Sequence, residues 1–174
     1  MSIDGTDSAI VPLLQGAEGR LVRLDETLES RPACGTRLFA ERIVCHRVVS
    51  PMSADDVNFF FTMRSQVKLF HWQTVSFARH KATDDVIKAL DETTDKYVEV
   101  YMGKYGRPKM TARNSGTHVQ NLNEKSIVKF IKACIQYLEV NLIKKLKPSD
   151  TDLVNLRDEM LGELNQLMYL FTLH

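Results

Sequence analysis

From about residue 53 onward, apolar side chains recur every three or four positions, which is the period of an amphipathic α-helix. Ser53 and Ser149 are placed to cap the first and last of these patterns, and Gly103 follows the second. The sequence therefore predicts an all-α fold whose helices cover residues 53–72, 77–102, 123–146 and 149–174.

The spacing of the predicted helices suggests how they connect. A short link, residues 73–76, joins the first two helices, and Pro148 separates the last two. By contrast, residues 103–122 form a long connection rich in Gly, Pro, Asn and Ser. Two helical hairpins joined by one long crossover define the ferritin-like antiparallel four-helix bundle, whereas an up-and-down bundle needs only short loops.

The first 50 residues do not share this period. They contain Pro12 and Pro32 and a β-leaning run at residues 42–49. We therefore predict two parts, an extended N-terminal arm over residues 1–50 and a bundle over residues 51–174. Three alternatives stay open for the arm: packing on the bundle, pairing with another protein, and partial disorder.

Composition narrows the class of protein. The chain has 174 residues, of which 44% are apolar and 26% charged, and its formal net charge is +1. This balance predicts a soluble protein and gives no reason to expect a membrane or nucleic-acid partner. Cys34, Cys45 and Cys134 fit no zinc motif, so we expect free thiols in a reducing compartment. With no export signal evident, we expect a cytoplasmic protein.

Five side chains are candidate metal ligands. His71 ends the first predicted helix, and four more lie on the second, at intervals of four, eleven and four: His80, Asp84, Asp95 and Glu99. At 100° per residue these four share one helix face. The two pairs are nevertheless about 16 Å apart along the axis, so one ion cannot bind both within one helix.

A second copy of the chain would solve this problem. If the second helix packs antiparallel against its mate across a twofold axis, His80 and Asp84 face the partner's Asp95 and Glu99, and His71 can join from the neighbouring helix. A symmetric homodimer would then hold two equivalent sites. Imidazole with carboxylate suits iron, and also zinc or manganese. Iron, or another divalent metal, is therefore the expected ligand.

The segments around these ligands resemble a known family. His-Trp-Gln-Thr at residues 71–74, together with residues 80–84 and 95–99, resembles the ferroxidase region of the Dps family, the mini-ferritins that protect DNA during starvation. The likeness covers about 30 residues closely. It departs from the family in four ways. The link between the histidines is shorter by about one helical turn and lacks the family's Gly, and Gln73 replaces the usual Asn. Residues 1–31 mix Arg with Asp and Glu and do not form the lysine-rich tail that some members use on DNA.

The resemblance implies oxidation of ferrous iron by peroxide or oxygen, at a site between subunits, and mineral storage in a hollow dodecamer. A vaguer likeness, through residues 69–74 and 105–107, is to uncharacterised ferritin-like helical proteins of large DNA viruses. That kinship implies the same fold in another role, such as a structural or interaction protein associated with the virus particle. Both hypotheses, a ferroxidase and a non-enzymatic interaction protein, follow from the sequence.

Charged residues of the second predicted helix can also be interpreted as ordinary surface residues and not as metal ligands. Asp85, Asp91 and Glu92 are expected to be solvated, and Lys88 can pair with Asp84 one turn away. Trp72 is expected to be a packed aromatic, either in the core or at an interface.

Overall fold

The computed structural model of the protein describes residues 52–173. In this range the chain is predominantly helical and has no β-strand, which confirms the predicted all-α class there. The arm predicted at residues 1–50, with Cys34 and Cys45, lies outside the described residues. Four α-helices are present: α1 (Ala54–Gln73), α2 (Phe77–Tyr105), α3 (Glu124–Gln136) and α4 (Thr151–Leu170).

The start of α1 agrees with the sequence prediction. Ser53 is the N-cap, and its hydroxyl accepts a hydrogen bond of 3.2 Å from the Asp56 N–H. The Asp56 carboxylate in turn accepts from the Ser53 N–H at 3.3 Å, which completes a capping box. Two of the N–H groups left without helical partners are thereby satisfied.

Helix α2 is longer than predicted, because it continues through Gly103 to Tyr105 and is followed by the C-cap Gly106, whose φ is +87°. Glycine is the residue that reaches such positive φ values without strain. Contacts with α4 hold the last turn in place. The Tyr105 hydroxyl donates to Asp150 at 2.6 Å, and Lys104 pairs with Asp152 at 2.6 Å. These long-range contacts outweigh the helix-breaking tendency of Gly103.

The third helical segment is not the uniform helix predicted over residues 123–146. Asn123 caps α3 by accepting from two backbone N–H groups. After Gln136 the chain widens into a π-helical segment, Tyr137–Leu142, and then tightens into a 3₁₀ turn, Ile143–Lys145. Neither glycine nor proline occurs between residues 137 and 145, so the sequence gives no warning of the change.

The predicted cap of α4 was wrong. The N-cap position is Asp150, and its side chain makes no capping bond because the carboxylate accepts from Tyr105 and from the Lys147 N–H instead. The helix also ends earlier than predicted, at Leu170.

Contacts fix the direction of each neighbouring helix pair. Arg64 meets Asp91 and His71 meets His80, so α1 and α2 are antiparallel. In the same way Arg79, near the start of α2, lies 3.2 Å from the carbonyl of Phe171, beyond the end of α4. With the Tyr105 contact to Asp150 at the other end, α2 and α4 are therefore also antiparallel.

Helix α1 and the third helical segment run antiparallel as well. Thr74, which follows α1, donates to Glu124 at the start of α3, while Asp56 near the start of α1 accepts from Tyr137. The connection over residues 106–123 runs along α1. There the side chain of Gln66 both donates to the Gln120 carbonyl and accepts from its N–H, at 2.8 and 3.0 Å.

The apolar core lies between the helices, and all four contribute to it. Its largest fully buried side chains are Tyr97, Phe70, Phe130, Met63, Leu90, Ile127, Ile131, Leu138, Leu142, Leu153, Met160 and Leu164. Cys134 belongs to the same core as a buried free thiol, and burial raises its pKa. No helix within residues 52–173 has the length and apolar character needed to cross a bilayer.

Candidate metal centre

Two of the predicted ligands, His71 and His80, are hydrogen-bonded to each other's main chain. The Nδ1 atom of His71 lies 3.0 Å from the main-chain carbonyl of His80, and the Nδ1 atom of His80 lies 2.9 Å from that of His71. A carbonyl oxygen can only accept, so each Nδ1 carries the proton. The two rings are stacked, with centroids 4.0 Å apart and an interplanar angle of 20°.

This exchange fixes the tautomer of both imidazoles. With the proton on Nδ1, the neutral ring keeps a lone pair on Nε2, and that atom is a common metal donor in proteins. Hydrogen bonds from Nδ1 to backbone carbonyls are the usual outer support of a metal-binding histidine. His71 is 6% exposed, whereas His80 is exposed. The donor chemistry of the pair therefore fits a metal ion.

Thr83 makes an additional contact with the pair of His71 and His80. Its hydroxyl is fully buried and lies 3.1 Å from Nδ1 of His71. The same hydroxyl donates to the carbonyl of Arg79 at 2.8 Å, which leaves an oxygen lone pair for the imidazole N–H. The sequence analysis did not single out Thr83, because a lone threonine in a helix gives no signal of this role.

Asp84 lies one helical turn beyond His80 and is already paired. Lys88 donates to its carboxylate at 2.8 Å, as the sequence suggested. This hydrogen bond, together with the charge of Lys88, lowers the pKa of Asp84 despite an opposing contribution from desolvation. The carboxylate is therefore ionised at neutral pH. It would have to exchange Lys88 for a metal ion in order to act as a ligand.

The remaining two predicted ligands, Asp95 and Glu99, are not near this pair. Both are exposed on α2, about three turns further along. Among residues 52–173 of a single chain, no three His, Cys, Asp or Glu side chains are grouped so that they could hold a metal ion. One chain thus pairs His71 with His80, places Asp84 one helical turn beyond His80, and leaves Asp95 and Glu99 further along α2.

Asp95 borders an apolar groove between α1 and α2, with a volume of about 630 Å³. Phe61 lies in its wall with 54% of its surface exposed. Arg64 and Asp91 also line the groove and form a two-pronged ion pair, including one contact of 3.0 Å. The prediction that Asp91 is merely solvated missed this pairing across two helices. The other lining residues include Val57, Phe60, Val98 and Pro108.

A second polar cluster surrounds Asp56, where α1 starts and the third helical segment ends. The Asp56 side chain is 2% exposed. It accepts from the Ser53 hydroxyl at 2.6 Å, the Tyr137 hydroxyl at 2.7 Å and the Lys145 ammonium at 2.6 Å. Burial, and then the charge of Asp56, raise the pKa of Tyr137. Sequence reasoning treated Asp56 only as a first-turn helix residue.

Asp150 lies at the same end of the helices, at the start of α4, and is 1% exposed. Burial raises the pKa of this carboxyl group, but hydrogen bonds from Tyr105, the Lys147 N–H and Lys104 outweigh that effect and leave the pKa below its ordinary value. Tyr101 packs beside Tyr105, and its pKa rises to about 12, chiefly through burial. We call Asp56, Asp150 and their hydrogen-bonding partners the carboxylate end.

Comparison with known proteins gives one match. A family model described as a family of unknown function, DUF5856, matches residues 71–171. No curated protein and no solved structure matches the chain. The family match includes His71 and all of α2, α3 and α4, which is more than half of the 174 residues. The chain therefore belongs to the DUF5856 family.

Proposed function

We propose that this chain is a ferritin-like, iron-binding protein that oxidises ferrous iron at a site shared by two copies. The observation that carries the proposal is the exchange of hydrogen bonds between His71 and His80. Each imidazole donates a hydrogen bond from its Nδ1–H to the other residue's carbonyl, so Nε2 of each ring carries a lone pair that can bind a metal.

The helix arrangement supports the ferritin-like part of the proposal. α1 is antiparallel to α2 and to α3, α2 is antiparallel to α4, and residues 106–123 return along α1 before α3 begins. A long crossover that makes the second and third helices parallel is the topology of ferritin-like bundles. The predicted likeness to the Dps family is consistent with this arrangement.

The need for a second copy follows from where the acids lie. Asp95 and Glu99 share the outward face of α2 with Asp84, but lie too far along it to reach the histidines of their own chain. A twofold axis near the middle of α2 would bring them to the partner's histidine pair. The apolar groove beside Asp95 and the exposed Phe61 would supply apolar surface for such a contact.

The chemistry assigned to the chain is binding and orientation. His71, His80 and Asp84 of one copy, with Asp95 and Glu99 of the other, would hold ferrous iron as substrate. Each ferrous ion loses one electron, and hydrogen peroxide takes up the electrons together with protons to form water. Lys88, displaced from Asp84, would remain beside the site as a positive charge.

The test combines a double variant with a matched control. His80→Ala with Asp84→Ala should abolish peroxide-dependent iron oxidation and the binding of cobalt(II), followed by its visible absorption. The control, His118→Ala with Asp85→Ala, removes the same two kinds of side chain at exposed positions away from the pair and should leave both unchanged. Equal iron oxidation in the two double variants would reject the proposal.

Mixing two inactive variants tests whether the site is shared. The chain with His80→Ala and Asp84→Ala is combined with one carrying Asp95→Ala and Glu99→Ala, under conditions where subunits exchange. Half of the dimers are then mixed, and each has one intact site, so about a quarter of the wild-type sites return. A site within one chain would give no recovery at all.

The second candidate is an interaction protein without metal. The observation that favours it is that a single chain leaves the ligand set divided, while the adjacent groove is apolar and open. Elemental analysis of protein purified without chelators separates the two ideas. A metal-free chain that also fails to bind added iron or cobalt would support this candidate.

A further inference from the structure

The link between α1 and α2 has the reverse of the usual arrangement of polar and apolar side chains. Its polar residues Thr74 and Ser76 are half-buried and hydrogen-bonded. The Thr74 hydroxyl donates to Glu124 at 2.8 Å and accepts from the Ser76 N–H at 3.2 Å. The Ser76 hydroxyl accepts from the Arg79 N–H at 3.3 Å and so caps α2. The link is thus held in one conformation by hydrogen bonds.

The apolar residues in this link and at the helix ends beside it are exposed. Trp72 is 69% exposed, Val75 97% and Phe77 80%. These are the three most exposed large apolar side chains among the described residues. Hydrogen bonds fix the neighbouring polar side chains, so the three apolar side chains are exposed in the folded protein itself. A concentrated apolar patch of this kind usually marks a contact surface. We call residues 72–77 the tip.

Positive charge surrounds the tip. The ammonium group of Lys68 lies 5.8 Å from the centre of the Trp72 ring. Lys81 is exposed one turn after Phe77, and Lys125 is exposed beside Glu124, the residue that Thr74 contacts.

The acids nearby are already neutralised, because Glu124 pairs with Arg79 at 2.6 Å and Asp84 pairs with Lys88. The charge left around the tip is therefore positive. Two copies meeting tip to tip would bring like charges together, which disfavours a second copy as the partner.

We propose that the tip binds the protein to an anionic lipid surface. Trp72, Val75 and Phe77 lie at the level of the lipid headgroups, and Lys68, Lys81 and Lys125 face the lipid phosphates. Aromatic side chains flanked by lysines are suited to this interface, and each lysine near an anionic surface adds to the attraction. The contact is interfacial and needs no membrane-spanning helix. It does not depend on the proposed iron chemistry.

The chain contains one tryptophan, and it lies in the tip, so its fluorescence reports the contact directly. The full chain is titrated with vesicles of phosphatidylcholine alone, and with vesicles that also contain phosphatidylserine. We expect the emission of Trp72 to shift to shorter wavelength, and the protein to float with the vesicles, only when phosphatidylserine is present. Brominated lipids should quench the same emission. Raised salt should weaken the binding.

The decisive variant is Val75→Asp, which adds a negative charge at the most exposed position and leaves Trp72 as reporter. It should weaken binding to the anionic vesicles by about tenfold or more, because it both removes apolar contact and repels the surface. Val140→Asp makes the same substitution at another exposed valine, on the π-helical segment, and should bind like the wild type. Lys81→Gln with Lys125→Gln should lower the affinity for anionic vesicles.

Three results would overturn the proposal. One is a wild-type chain that binds neither kind of vesicle. Another is equal binding by Val75→Asp and Val140→Asp. The third is a change of oligomeric state in Val75→Asp, seen by light scattering, which would make the tip a contact between copies. Circular dichroism of each variant confirms that the helices are intact.

Discussion

The two ends of the helices treat polar and apolar side chains in opposite ways. At the carboxylate end, Asp56 and Asp150 are 2% and 1% exposed, and both accept several hydrogen bonds. At the tip, Val75 and Phe77 are 97% and 80% exposed, while Thr74 and Ser76 in the link are half-buried and hydrogen-bonded. Charge is buried at one end and apolar surface is exposed at the other.

The difference separates what stabilises the fold from what remains available for contacts. A buried carboxylate that loses its partners leaves unsatisfied groups in the interior, so its network is coupled to folding. An exposed valine contributes almost nothing to the free energy of unfolding, and its side chain remains available to contact another molecule. The comparison predicts a large loss of stability at the first end and almost none at the second.

The largest effect is expected from Asp56→Ala. This change leaves the Tyr137 hydroxyl and the Lys145 ammonium without their acceptor and removes the capping box of α1. We expect a loss of about 3 kcal/mol in the free energy of unfolding, measured by urea denaturation. Asp55→Ala, at the exposed neighbouring position, should cost less than about 0.5 kcal/mol. Equal losses in the two variants would contradict the comparison.

A smaller effect that depends on pH is expected from Asp150→Asn. The asparagine keeps the size of the side chain but weakens its bonds with Tyr105 and Lys104, so we expect a loss of about 2 kcal/mol at neutral pH. The folded pKa of Asp150 lies below its ordinary value, so its ionised form adds stability above about pH 4, and this stability is lost as the pH falls through the folded pKa.

The difference in unfolding free energy between wild type and Asp150→Asn should therefore shrink when the pH is lowered from 5 toward about 2. Denaturation curves at several pH values measure it. Asp152→Asn, which removes an exposed partner of Lys104, should change the stability much less. A difference that stays constant at low pH would mean that Asp150 is not the titrating group.

The smallest effect is expected at the tip. Val75→Asp should leave the midpoint of thermal unfolding almost unchanged, with less than about 0.5 kcal/mol in stability, because the side chain has no packing to lose. Differential scanning calorimetry in the absence of lipid measures this. A loss of more than about 1 kcal/mol would show that the tip packs against something in the protein as it exists in solution.

Much of the helical layout could be predicted from local signals. Ser53 with Asp56 is a capping signal that acts within four residues, so the start of α1 was recognisable. The end of α2 was placed too early, because the contacts of Lys104 and Tyr105 with α4 involve residues more than 40 positions away. The π-helical segment Tyr137–Leu142 has no composition that distinguishes it from an α-helix.

The candidate ligands were proposed from the sequence, which did not predict the contacts around them. Helical periodicity was enough to place His80 and Asp84 on one face with Asp95 and Glu99. It could not show that His71 and His80 exchange backbone hydrogen bonds, because that depends on how two helices meet across the link.

The exposure of the tip was equally hidden. Trp72 was expected to be packed in the core or at an interface, and the core alternative was wrong. The overall composition and net charge gave no reason to expect a membrane partner. These bulk properties do not show that exposed apolar and basic residues are concentrated at the tip.

The reciprocal pairing of Gln66 with Gln120 bears on the order of folding. It joins residues 54 positions apart, and the bond between Asp56 and Tyr137, also on α1, joins residues 81 apart. The α1–α2 turn, by contrast, closes over three residues. Closing a longer loop costs more chain entropy. We therefore expect the helix pairs to form first and the connection over residues 106–123 to pack against α1 late in folding. Slow steps in refolding should therefore be sought at this docking event rather than in helix formation.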